Sequence, residues 1–131
     1  MARRGHVTDE AHAVIGGHAA IAPFVRVGRG SMVAGGAMVD RDVPPDCIVR
    51  GDRAAVVSLN VVGLRRRGVP ARSIAALRAA FALLFRSARP FSEALRACAP
   101  LARRDRRVRR LVAFLRRSRV GVRRAAGNRL R

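Results

Sequence analysis

A six-residue repeat constrains this chain more than any other feature. Stepping by six from Ile15 reaches Ile21, Val27, Val33 and Val39, an unbroken series of branched aliphatics. Four residues after each lie Ala19, Val25, Ser31, Ala37 and Val43, all small or β-branched, and the same phase reaches back to Ala13 and Val7. The residues just after the aliphatic positions are Gly16, Ala22, Gly28, Ala34 and Asp40, small or turn-forming in every case. A period of six is neither the helical 3.6 nor, by itself, the strand period of two. A triangular parallel coil accounts for it, each unit supplying one short strand and one turn. β-Branched residues suit the flat faces, and Gly or Ala at the corners permits tight turns and close approach between coils.

The aliphatic series fails at Asp9, and residues 7–43 amount to only about two coils, whereas repeat folds need several units and capping ends. The expectation is the terminal portion of a longer β-helix, cut off at its start. The repeat closes at Asp42-Val43-Pro44-Pro45-Asp46, where consecutive prolines forbid further ladder pairing. Cys47-Ile48-Val49-Arg50 forms one last strand before a turn at Gly51-Asp52. The period then changes. Ile74, Leu77, Phe81 and Leu84 share one helical face, with Pro70 near the start. Ser92 is placed to cap a second helix, with Leu95, Cys98 and Leu101 inward and Pro100 marking its end. Val108, Leu111, Val112 and Leu115 have the spacing of a third. The expected organisation is coils over 1–52, a linker and basic turn over 53–69, a helical domain over 70–121 and a disordered basic tail over 122–131.

A formal net charge of +20 on 131 residues ordinarily suggests nucleic acid or anionic membrane. Here every basic side chain except the three histidines is Arg, Lys and Gln are absent, and Ala, Gly and Val abound, a composition that a GC-rich genome imposes on any protein. With no Trp or Tyr to stack bases, no specific nucleic-acid partner is expected. Cys47 and Cys98 form no C-x-x-C pair and have no histidine at ligand spacing, so neither a disulfide framework nor a metal site is indicated, and no cofactor is implied. The reducing cytoplasm is the default location. No apolar run is long enough to span a bilayer.

The succession His6-Val7, Val14-Ile15-Gly16-Gly17, Phe24-Val25-Arg26-Val27-Gly28, Asp42-Val43-Pro44-Pro45, Gly51-Asp52-Arg53-Ala54 and Leu59-Asn60-Val61-Val62-Gly63-Leu64-Arg65-Arg66-Arg67-Gly68 carries a resemblance. It resembles the C-terminal half of the UDP-N-acetylglucosamine O-acyltransferase family of lipid A biosynthesis, from His6 to about Val122. The resemblance implies a truncated left-handed parallel β-helix followed by a C-terminal α-helical domain, assembled as a homotrimer with active sites between subunits. It also implies transfer of a 3-hydroxyacyl group from acyl carrier protein to UDP-N-acetylglucosamine, with a histidine as general base.

That base falls about one coil before the position matched by His6, so no catalytic residue is assigned and the chain alone is expected to be catalytically incomplete. By the same resemblance His6 helps position substrate, and Asn60, Arg66 and Arg67 contact the nucleotide end, where planar guanidinium forks and an amide suit phosphate and uracil. Gly35 matches the position whose side-chain size sets acyl length, and glycine there leaves room for a long chain. The chain departs from the family at Ala22-Pro23, usually His-Gln, and at Val62, usually Glu. The alternative reading is a basic binding or assembly module: Arg103-Arg104, Arg106-Arg107, Arg109-Arg110 and Arg116-Arg117 would steer acidic acyl carrier protein.

Overall fold

The computed structural model describes residues 2–3 and 8–125, with side chains described from Glu10 onward. The repeat becomes a run of two-residue strands: β1 Ala2–Arg3, β2 Thr8–Asp9, β3 Val14–Ile15, β4 Ala20–Ile21, β5 Arg26–Val27, β6 Met32–Val33 and β7 Met38–Val39. β1 to β4 each pair in parallel with the strand three units on. Ala2 lies on Ala20 and Ala20 on Met38, a register of 18 residues; Thr8 lies on Arg26 and Val14 on Met32. Three units therefore close one turn and build three faces. Both predicted series point inward: Ile21, Val27, Val33 and Val39 are buried, and so are Ala19, Val25, Ser31, Ala37 and Val43. Ser31, the polar member, donates its hydroxyl to the Gly28 carbonyl at 2.7 Å.

Two features of the coil differ from expectation. The aliphatic series stops at Asp9 but the ladder does not, since Asp9 pairs with Val27 and β1 lies beyond it. Parallel pairing requires only backbone N–H and C=O groups, so it continues past a residue the core pattern rejects. The left-handed corners also fall elsewhere. His12, His18, Phe24, Gly30 and Gly36 have φ of 62, 60, 67, 69 and 74°, again at intervals of six. Gly16 and Gly28 serve contact between coils instead: a Cβ on Gly16 would lie 2.5 Å from the Gly35 nitrogen, and one on Gly28 2.5 Å from the Pro45 nitrogen.

The last turn tightens through the Val43-Pro44-Pro45 corner. Met32 pairs with Ile48 at a spacing of 16, and Met38 bridges to Asp52 at 14. β8 (Cys47–Arg50) ends the parallel stack, and β9 (Ala55–Leu59) turns back to pair with it antiparallel, Cys47 opposite Leu59 and Arg50 opposite Ala55. Residues 53–69 are thus not a linker and basic turn; they are mostly β9 and helix α1 (Val61–Arg66). β9 covers the edge that β8 would otherwise leave unpaired. The expected disordered tail needs the same correction over 122–125. The Val56 N–H donates to the Arg123 carbonyl at 2.8 Å, the Ala125 N–H donates to the Val56 carbonyl at 3.3 Å, and upstream the Asp42 N–H donates to the Gly121 carbonyl at 2.9 Å. Residues 126–131 lie outside the described residues.

Beyond α1, helix α2 (Ala71–Phe85) starts after Pro70 and buries Ile74, Leu77, Phe81 and Leu84 as its spacing predicts. The second predicted helix is two short ones, α3 (Phe91–Ala97) and α4 (Ala99–Arg104). Pro90, not Ser92, occupies the N-cap of α3, and Pro100 opens α4 instead of ending α3, because a missing N–H is harmless in a first turn. Cys98 is buried at their junction, whereas Leu95 and Leu101 are only half-buried. Helix α5 (Arg106–Arg117) buries Val108, Leu111, Val112 and Leu115, and Phe114 as well. Asp105 caps it, accepting from the Arg107 and Val108 N–H groups at 2.9 and 3.0 Å. Burial pushes the Asp105 carboxyl up, but a hydrogen bond from Ser73 and the Val108 and Arg107 N–H groups together hold it below its ordinary value. Phe114 packs under Arg26 at 4.5 Å, tying α5 to the coil. Coil and helices share one continuous apolar core.

Candidate functional site

The site is built where α1 leaves the coil. Asn60 is buried and caps α1, its Oδ1 accepting from the Gly63 N–H at 3.2 Å. Its Nδ2 donates to the Gly30 carbonyl at 3.0 Å, and its own N–H to the Asp46 carbonyl at 2.6 Å. Asn60 therefore fastens α1 to two coil corners, a role its match to a ligand-contacting position did not reveal. Arg66 and Arg67 follow at the end of the same helix, Arg66 exposed and Arg67 half-buried.

These residues line one groove of about 720 Å³, whose floor is the outward side of the β3-β6-β8 face: Val14, Met32 and Ile48. Val14 and Met32 are exposed, so the floor is an apolar strip rimmed by two guanidinium groups and His12. An apolar floor with a few convergent polar groups is the common form of a small-molecule site. Val62 stands exposed on the rim and contributes no polar atom. His12 is the third member of that rim. It is exposed at its left-handed corner, but that corner stacks 18 residues before Gly30 and brings the imidazole to the rim.

Behind Arg67 lies a second, polar cavity of about 350 Å³. Its lining comprises Arg29, Arg67, Arg106, Arg107, Arg110, His12, Val69 and Asp46. Asp46 is only 2% exposed, sits at a corner with φ of 61°, and accepts from Arg67 Nη2 at 2.9 Å through Oδ1. Gly30 makes the pair possible, since a Cβ there would collide with Asp46 Oδ1 and lie 2.5 Å from Arg67 Nη2. Burial pushes the Asp46 carboxyl above its ordinary value, against the pull of Arg67, Arg110, Arg107 and Arg29. Arg67 thus belongs to both spaces. Sequence reasoning missed Asp46, whose signal was its place directly after the double proline.

Of the other predicted positions, Gly35 does not line this groove. His6 lies outside the described residues. Gly35 sits at an exposed corner between β6 and β7, its Cβ position 3.3 Å from the Gly17 carbonyl one coil below. His18 occupies a different, exposed corner. Cys47 and Cys98 are buried, and burial pushes both thiols up, Cys47 well above the ordinary range. Among the described residues no group of three or more His, Cys, Asp or Glu is placed to hold a metal ion, and no helix is long and apolar enough to cross a membrane.

Comparison with known proteins gives this arrangement a context. Residues 42–123 match the family model described as UDP-N-acetylglucosamine O-acyltransferase, domain 2. The acyl-[acyl-carrier-protein]--UDP-N-acetylglucosamine O-acyltransferase of Myxococcus xanthus is 42% identical over 117 residues, covering 88% of this chain and 45% of the relative. The protein of the same name from Synechocystis is 43% identical over 95 residues, covering 72% of this chain and 34% of the relative. Among solved structures, the UDP-N-acetylglucosamine acyltransferase of Campylobacter jejuni superposes with a TM-score of 0.85 at 32% identity, over 95% of this chain and 48% of that one. The chain spans half or less of the length of these relatives.

Proposed function

The chain belongs to the UDP-N-acetylglucosamine O-acyltransferase family, and from that premise we propose that it forms the nucleotide-binding portion of such an acyltransferase in lipid A biosynthesis. The reading is supported chiefly by one observation: Asn60, Arg66 and Arg67, far along the chain from the coil, close over its apolar strip in a single groove. In this reading Arg66 and Arg67 hold the pyrophosphate or uracil oxygens through charge-assisted hydrogen bonds. Asn60 sets the pitch of α1, so its part is positioning as well as contact. The coil is a left-handed β-helix followed by a C-terminal helical domain, and the exposed strip of Val14 and Met32 is covered by another subunit of a homotrimer. His6 helps position the sugar, and Gly35 leaves space for a long acyl chain.

None of His6, His12 and His18 matches the family's general-base position. The 131 residues by themselves are therefore expected to bind UDP-N-acetylglucosamine without acylating it, since general-base catalysis contributes about 10²–10⁴-fold. Acyl carrier protein is the donor in this reading, drawn by the arginines of α4 and α5. Titration calorimetry of the full chain with UDP-N-acetylglucosamine tests the proposal. Saturable binding weakened about tenfold or more by Arg66→Ala is expected. An absence of binding, or identical affinity in the Arg66→Ala protein, overturns it; acyl transfer from acyl carrier protein by the purified chain overturns the statement about catalysis.

A further inference from the structure

The polar cavity behind Arg67 is a separate space from the nucleotide groove. Arg29, Arg106, Arg107 and Arg110 line it and do not line the groove. Three of them come from the first turns of α5, after the Asp105 cap, and Arg29 comes from the coil corner opposite. Five guanidinium groups face one carboxylate, so the cavity carries a large local excess of positive charge. Burial, and after it the neighbouring charges of Arg29, Arg107 and Arg106, push the Arg110 guanidinium below its ordinary value, with Asp46 opposing. An anion in the cavity would relieve each of these repulsions.

The carboxylate narrows the choice of anion. Asp46 Oδ1 is taken by Arg67, but Oδ2 is buried and has no hydrogen-bond partner among the described residues. A buried carboxylate oxygen left without a donor is costly, and each such atom in a native structure calls for an explanation. Beside an anion it would also repel any ligand that has only acceptors. A phosphate group that still carries one proton solves both difficulties, because its P–O⁻ oxygens accept from the guanidinium forks while its P–OH donates to Asp46 Oδ2. Sulfate holds no proton near neutrality, and a phosphodiester has no P–OH to give.

We propose that this cavity is a phosphomonoester site, in which Arg29, Arg107 and Arg110 hold the anionic oxygens and Asp46 Oδ2 accepts the P–OH proton in a hydrogen bond. The proposal does not depend on the nucleotide reading of the neighbouring groove. The diphosphate of a sugar nucleotide and the diester of a carrier-protein prosthetic group both lack the donor that Asp46 requires. A cavity of about 350 Å³ holds a phosphate with a short organic substituent.

The test is calorimetric titration of the full chain at constant ionic strength near pH 6, close to the second pKa of a phosphomonoester, about 6. The probes are inorganic phosphate, glycerol 3-phosphate and sulfate. Phosphate is expected to bind about tenfold or more tightly than sulfate, as one additional hydrogen bond to a charged group provides. Asp46→Asn, which keeps an acceptor for Arg67 and suits a left-handed corner, should abolish that preference by turning an amide N–H₂ toward the ligand. Arg110→Ala should weaken phosphate about tenfold or more, whereas the exposed Arg78→Ala on α2 removes the same charge without loss. Tighter binding of glycerol 3-phosphate than of inorganic phosphate identifies a phosphorylated small molecule as the ligand, and the reverse order identifies free phosphate. Equal affinity for phosphate and sulfate overturns the proposal, as does an equal loss in Arg78→Ala and Arg110→Ala, or an absence of saturable binding by phosphate.

Discussion

Replacing Asn60 by alanine separates the structural part of this residue from its part in binding. The side chain makes two hydrogen bonds, accepting from the Gly63 N–H and donating to the Gly30 carbonyl. Loss of the first removes the N-cap of α1, which costs about 0.5–2 kcal/mol. Loss of the second leaves a buried carbonyl without a donor, a further cost of about 1–3 kcal/mol. Both bonds are lost with the one side chain, and together they amount to about 1.5–5 kcal/mol. Urea unfolding followed by circular dichroism, at one protein concentration, should then show the midpoint fall by roughly 1–2 M with an unchanged slope. Asn60→Asp refines the test. An aspartate keeps the cap and loses the donor, so its deficit should shrink on acidification, once the protonated carboxyl can donate to the Gly30 carbonyl. A loss below about 0.5 kcal/mol for Asn60→Ala, the ordinary range for an exposed substitution, would refute the idea that this side chain fastens α1 to the coil. So would an Asn60→Asp deficit independent of pH.

Gly30→Ala should cost about 1–2 kcal/mol from its left-handed backbone alone, and more because the new Cβ displaces the Asp46–Arg67 pair. In that background Arg67→Ala should cost little further, which a double-mutant cycle in urea unfolding checks. Ser118 donates to Asp42 Oδ2 at 2.7 Å, while the Arg26 N–H serves Oδ1. Ser118→Ala should therefore lose about 1.5–3 kcal/mol in thermal or urea unfolding and loosen residues 118–121 in hydrogen exchange. The hydrogen bond from Arg123 is the main cause holding the Asp40 carboxyl below its ordinary value. Its contribution is present above an unfolded value near 3.8 and is lost as pH falls through the lower folded value. With both side chains partly exposed it is worth about 0.2–1 kcal/mol, so acid unfolding of Arg123→Ala should lack only that small step.

The coil and the main helices were legible because each rests on a periodic demand of burial. Two inward residues in every six, and an inward residue every third or fourth, leave marks in sequence that survive a composition dominated by Ala, Val and Arg. The left-handed corners left no such mark. His12, His18 and Phe24 share the backbone geometry of Gly30 and Gly36, and their residue types do not announce it. The segment 53–60 was read as a linker because its worth as a strand lies in covering the edge of β8, a relation between elements that a local pattern cannot carry. The ladder past Asp9 was hidden for a related reason: the aliphatic series reports the core, while pairing depends on the backbone.

The same distinction explains what could be read of the site. Resemblance marked Asn60, Arg66 and Arg67 as neighbours in function, and the groove does bring them together. It could not mark Asp46 or Arg110, because their relation arises only when the coil corner after the double proline meets the start of α5. That meeting also changes the meaning of Arg67. As a position in a motif it was expected to contact a nucleotide; in the fold, its Nη2 is committed to a buried carboxylate whose other oxygen has no partner among the described residues. A ligand in the groove and a phosphate in the cavity would then compete for, or share, one arginine. Removing Asp46 as a hydrogen-bonding charge should therefore alter the affinity of both spaces, whereas changes at Arg66 or Arg110 should each be confined to one.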